Sequence, residues 1–208
     1  MDINQKFTPQ TWPKHPEQAT QEGKNKLVGL WIFLASDTVL FASVFATYIA
    51  LKDHGPAGME FAAKDLYELP LAFIMTMLLL TSSLTSVYAM YHMKNYNWNG
   101  VRTWMGITVL LGLGFLCLEI YEFYHYVHIG FGYTQSAFSS AFFTLVGMHG
   151  LHVIIGLVWI TGLIVRNGGR GLNLYNAPKF YAASLYWHFI DVVWVFIFTV
   201  VYLMGVLG

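Results

Sequence analysis

Five stretches of roughly 20 or more mostly apolar residues alternate with short polar segments along this chain. They run over Leu27–Leu51, Leu69–Tyr91, Thr103–Tyr126, Ala137–Val165 and Phe180–Leu207. Each is long enough to cross the ~30 Å apolar core of a bilayer as a helix rising ~1.5 Å per residue. The connections Lys52–Glu68, His92–Arg102, Val127–Ser136 and Arg166–Lys179 are polar or turn-rich, and Gly168-Gly169-Arg170-Gly171 is a breaker cluster. Only helices and closed barrels satisfy the backbone in lipid, so the pattern predicts an all-α integral membrane bundle of five transmembrane helices. The expected organisation is a polar N-terminal tail over residues 1–26, carrying Pro9, Pro13 and Pro16, then one membrane domain over residues 27–208. The first apolar run starts too late and runs too long for a cleaved signal peptide, so it is expected to stay as an anchor.

The basic residues orient this bundle. Lys6, Lys14, Lys24 and Lys26 precede the first span, Lys94 and Arg102 follow the second, and Arg166, Arg170 and Lys179 follow the fourth; only Lys52 and Lys64 fall on the other side. Nine against two places the N-terminus in the cytoplasm and the C-terminus outside by the positive-inside rule. Composition agrees with a membrane protein: 56% of residues are hydrophobic and 11% charged, against about 25% charged in soluble domains. A formal net charge of zero, with no basic stripe, argues against nucleic acid as a partner. The single cysteine, Cys117, excludes an internal disulfide and is expected to be a small buried residue.

Ionisable groups inside the spans carry the candidate chemistry. Asp37, Glu119, Glu122 and Asp191 lie there, as do His125, His149, His152 and His188, with no lysine or arginine among them. Such a group costs several kcal/mol in lipid unless it has a partner, which makes it a functional candidate by default. Carboxyls without cations nearby must be protonated, hydrogen-bonded or wetted. His188 and Asp191, three apart within Tyr186–Trp194, share one helix face. Glu119, Glu122 and either His125 or Tyr126 form a second stripe, and His149 with His152 lies among Gly147, Gly150 and Gly156. Read from the residues alone, these groups fit polar fastening between helices, paired haem ligands such as His149 or His152 with His188, or a proton-conducting transporter. They also fit an accessory subunit whose polar face docks on partner helices or lipid.

The same residues carry a resemblance. Tyr186-Trp187-His188-Phe189-Ile190-Asp191-Val192-Val193-Trp194 resembles the signature of subunit III of the haem–copper terminal oxidases, and Phe142–Gly156, with Gly147-Met148-His149-Gly150-Leu151-His152 at its centre, resembles that family's other strong motif. Glu119–Tyr124 and Trp31–Tyr48, with Asp37, fit in the same order, so the match covers the chain from Leu27 onward. The short bacterial form of the family has five spans. Thr81–Asn95 and Arg170–Trp194 look most like Gram-positive cytochrome c oxidases, and the quinol-oxidising branch is the alternative.

The resemblance implies an accessory subunit of a proton-pumping oxidase that reduces oxygen to water. It implies no redox centre in this chain, with haem and copper held by partner subunits I and II, a small subunit IV as a further neighbour, and bound phospholipid. In the family this subunit packs on subunit I, holds lipid, sustains proton uptake and protects against turnover-linked inactivation. Many members have glutamate where Asp37 stands, so a role needing glutamate's reach does not transfer. The expected polar framework is Asp37, Glu119, Glu122, His149, His152, His188, Asp191 and Trp194, with no catalytic or metal-binding residue. Arg166, at the end of the fourth span, is the lipid-headgroup candidate, against simple snorkelling.

Overall fold

The computed structural model describes residues 8–52, 69–169 and 171–207; Lys6, Lys64 and Arg170, which entered the charge count, lie outside them, as does most of the first connection. Five helices are long and apolar enough to cross a membrane, and no strand occurs among the described residues. They are α1 (Gln21–Leu51), α2 (Leu69–Lys94), α3 (Trp98–His128), α4 (Ala137–Asn167) and α5 (Ala177–Ile197), the last running on through a π-helical turn at Phe198–Leu203.

Caps rather than hydropathy set the boundaries. Thr20 accepts from the Gly23 N–H at 3.0 Å, so α1 begins at Gln21, well before Leu27. Asn97 caps α3 through the Gly100 N–H at 3.1 Å, and Ser136 and Ser139 close a reciprocal capping box on α4. Each side chain satisfies a donor that the first helical turn leaves without an intrahelical partner.

The polar stretch before α1 folds back on the bundle from residue 8. The Trp12 indole donates to the Met93 carbonyl at 3.0 Å, which also accepts from the Tyr96 N–H at 3.2 Å where α2 ends. Its ring lies 4.9 Å from that of Tyr96, a residue held in the left-handed region at φ 53°. Glu17 is buried with His15 at 3.3 Å.

Helices α2, α3, α4 and α5 pack in that order into a closed ring, and α1 lies outside it against α4 and α5. Two tryptophans of α5 fill the ring as successive layers, spaced by seven residues or about 10 Å of rise. Trp187 donates to the Ser82 hydroxyl of α2 at 2.9 Å. It also lies so close to α3 and α4 that a Cβ on Gly112 would stand 2.7 Å from the indole and one on Gly156 3.0 Å. Only glycine lets both backbones approach the ring that closely. Trp194 donates to the Thr76 hydroxyl at 3.0 Å and meets the edge of Phe115 at 4.7 Å and His149 at 5.2 Å. Cys117, expected to be buried, is instead exposed. The outer surface of this bundle meets lipid rather than water, so a small apolar side chain is as well placed there as inside.

Candidate functional site

The ionisable groups of the spans occupy three seams around the ring. The first ties α1 to α4. His152 Nδ1 lies 2.7 Å from the Met148 carbonyl, which can only accept, so Nδ1 carries a proton. His152 Nε2 then faces Asp37 Oδ1 at 3.3 Å, and that contact holds one proton: on the carboxyl as a neutral pair, or on the imidazole as an ion pair. Phe41 covers the imidazole at 5.0 Å, and the Tyr186 hydroxyl donates to the His152 carbonyl at 3.1 Å. Asp37 is buried, and its other oxygen has no hydrogen-bond partner among the described residues.

The second seam joins α3 to the end of α5. Glu122 accepts from the Tyr126 hydroxyl at 2.7 Å and from the Tyr202 hydroxyl at 2.8 Å. Tyr202 reaches it from the π-helical turn, where Val201 and Tyr202 are both buried. A turn closed i to i+5 holds an extra residue, which lets two successive side chains share the inward sector. Replacing Tyr202 with phenylalanine removes one of the two phenolic donors from a buried carboxyl and should cost about 1–3 kcal/mol. Thermal denaturation of the detergent-solubilised protein followed by tryptophan fluorescence checks this. A melting curve identical to wild type would mean that the phenol is not holding Glu122.

The third seam lies between α2 and α5. His188 Nδ1 pairs with the Ser83 hydroxyl at 2.6 Å. His188 and Asp191 share a helix face as their spacing implies, yet they do not bond to each other. Asp191 lies beside Ser83, but with that hydroxyl facing His188 neither of its oxygens has a hydrogen-bond partner among the described residues.

Of the acid–histidine pairings open from the sequence, the structure forms one at Asp37 and His152. Glu122 takes tyrosines, His188 takes a serine, and Glu119 and His149 have no hydrogen-bond partner among the described residues. Glu119 presses on the α4 backbone, where a Cβ on Gly150 would fall 2.6 Å from its carboxyl. His149, fully enclosed, packs against Phe115 at 5.8 Å and the indole of Trp194. Among the described residues no group of three or more His, Cys, Asp or Glu is placed to hold a metal ion.

Sequence reading overlooked the hydroxyls of α2. Thr76, Ser82 and Ser83 receive or face Trp194, Trp187 and His188 in turn, and Ser86 pairs with Ser184 at 2.8 Å. Their signal was present as small hydroxyl residues three, four and seven apart (Ser83 to Ser86, Ser82 to Ser86, Thr76 to Ser83) in an apolar span. Asn176 was also missed; fully buried, it ties the α4–α5 turn to Gly171 and Asn167 at 2.7 and 3.3 Å.

These features define a polytopic membrane protein: a tryptophan-filled helical ring with carboxyl, imidazole and hydroxyl groups turned inward. The sequence profile of the family described as cytochrome c oxidase subunit III matches residues 9–206, and the chain belongs to that family. It is 65% identical over its whole length, and that of its relative, to cytochrome c oxidase subunit 3 of Bacillus sp. strain PS3. Identity is 63%, again over the full length of both, to the subunit of that name from Bacillus subtilis strain 168. Against quinol oxidase subunit 3 of Bacillus subtilis it falls to 47% over 92% of this chain and 93% of that one. Together with the five spanning helices, this places the chain as a multi-pass subunit of a terminal oxidase in the plasma membrane.

Proposed function

We propose that this chain is an accessory subunit without a redox centre, one that fixes helix packing and lipid beside an oxidase core taking electrons from cytochrome c. The observation that carries the accessory role is the engagement of the imidazoles. Both nitrogens of His152 and one of His188 face protein groups, and His149 is closed in by aromatic rings. The haem and copper belong, on this reading, to subunits I and II, with a small subunit IV as a further neighbour. Higher identity to cytochrome c oxidase subunits than to the quinol oxidase subunit supports cytochrome c as donor. The N-terminus lies in the cytoplasm, because the basic residues concentrate at that end.

Arg166 belongs to the lipid part of this reading. It lines a groove of about 470 Å³ with Val158, Trp159, Gly162, Tyr175 and Lys179. Lys179 lies 3.6 Å from the Tyr175 ring centre and Lys26 4.5 Å. The hydrogen bond and charge of Lys179 hold the Tyr175 phenol below its ordinary value, with Lys26 adding to the effect. Cations gathered over apolar lining at a helix end fit an anionic lipid headgroup.

The test is a gentle extraction of the tagged chain. It should bring down a haem-containing partner that oxidises reduced cytochrome c, while the chain stripped of partners should show no Soret band. A Soret band retained by the isolated chain would overturn the accessory reading. Oxidation of quinol but not cytochrome c by the complex would overturn only the choice of donor.

A further inference from the structure

A second groove opens on another side of α4 from the Arg166 site. It has a volume of about 620 Å³ and lies between α3 and α4, lined by Asn99, Arg102, Gly106, Ile107, Leu110 and Ile164 among others. Ile164 and Arg166 are two residues apart, a rotation of about 200° on an α-helix, so the two grooves occupy nearly opposite faces of α4. The floor at Gly106 is open, since a Cβ built there meets nothing within 4 Å.

Its chemistry is divided along its length. Arg102 and Asn99 stand at the mouth, and the rest of the lining is mostly apolar, with the hydroxyls of Thr103 and Thr161 the exceptions. Arg102 is exposed, and no hydrogen bond or ion pair engages it among the described residues. Trp98 and Trp104 flank it, the latter stacked on Tyr88 at 5.0 Å. Tryptophans of this kind mark the depth of the lipid headgroups. From Asn99 to Leu110 the helix rises about 16 Å, close to half the ~30 Å apolar thickness of a bilayer. The groove therefore matches one leaflet: a cation at headgroup level and an apolar trough reaching the midplane. The amino end of α3 adds a partial positive charge at the same mouth.

We propose that the α3–α4 groove binds one anionic glycerophospholipid, its phosphate on Arg102 and Asn99 and its acyl chains along Gly106 to Leu110, independently of the Arg166 groove. Charge selects the headgroup, because Arg102 has no hydrogen-bond or ion-pair partner among the described residues and a bidentate phosphate contact satisfies its planar fork. A zwitterionic lipid supplies the same phosphate with a cation attached and binds less well.

The complex itself supports the experiment. Oxidase carrying this chain is purified in mild detergent, and phosphatidylglycerol per complex is counted by lipid extraction and mass spectrometry. Gly106→Phe fills the trough without touching the bundle interior, and Arg102→Gln removes the cation alone; each should lose one phosphatidylglycerol. Arg102→Gln combined with Arg166→Gln should lose the sum of the single losses. An unchanged lipid count in both Gly106→Phe and Arg102→Gln would overturn the proposal. A double variant losing no more than Arg166→Gln alone would do the same. Replacing Leu110 with a photoreactive benzoylphenylalanine gives an independent readout: crosslinking to lipid supports the site, and crosslinking only to a partner polypeptide overturns it.

Discussion

Trp187→Ala should lower the thermal midpoint of the solubilised complex, read from release of this chain, by roughly 6–12 °C. The indole is fully buried where α2, α3, α4 and α5 meet, and its N–H holds Ser82. Truncating a buried tryptophan costs about 3–5 kcal/mol in water-soluble cores. In a bilayer the unfolded reference is also apolar, so the transfer part shrinks and lost packing contacts remain. The low end, about 3 kcal/mol, is therefore expected, and a chain of this size moves about 2–4 °C per kcal/mol. A companion variant makes the test specific. A Cβ on Gly112 would stand 2.7 Å from this indole and 2.9 Å from the Leu157 side chain, so Gly112→Leu should destabilise the wild-type background, by about 1–3 kcal/mol for overpacking. In the Trp187→Ala background the same leucine should fill part of the hole and raise the midpoint. If it lowers the midpoint equally in both backgrounds, Leu157 rather than Trp187 is what Gly112 accommodates.

The second large effect is expected at the contact that fastens α1. His152→Leu leaves both oxygens of Asp37 without a hydrogen-bond partner, since one already lacks it, and should cost about 1–3 kcal/mol. Removing both partners in Asp37→Leu/His152→Leu should be milder than the sum of the singles, with a coupling of about 0.5–3 kcal/mol. Asp37→Asn separates fastening from proton exchange. Its amide can still donate to Nε2 of a neutral imidazole, so stability should stay near wild type although the shared proton is gone. Retention of the chain in the complex over a temperature series reads wild type, the two leucine singles, the double and Asp37→Asn. Strict additivity of the single losses would show that the contact contributes nothing as a pair.

Several of these features were legible before any coordinates. The five spans follow from apolar length, and the burial of the acids follows from the cost of leaving them in lipid. The pairings did not follow. His188 and Asp191 were set on one face by spacing alone, yet the neighbour facing His188 is Ser83, because α2 rather than another acid lies opposite that face. Glu122 was set in one stripe with either His125 or Tyr126 by its helical interval, whereas Tyr202 joins it from 80 positions away in the sequence. The helix starts were hidden as well, because a cap depends on one side chain meeting one N–H and not on hydropathy.

Local chemistry thus determined what the helices are: their number, their length and which polar groups had to be turned from lipid. Those outcomes depend on backbone satisfaction and transfer energies, which act residue by residue along the chain. The tertiary structure alone decided which helix each polar group faces. It closed α2 to α5 into a ring around Trp187 and Trp194, left α1 outside on the Asp37–His152 contact, and opened two grooves on opposite sides of α4. Helix association in lipid is governed by close packing and directional hydrogen bonds, and both depend on distances between residues far apart in sequence.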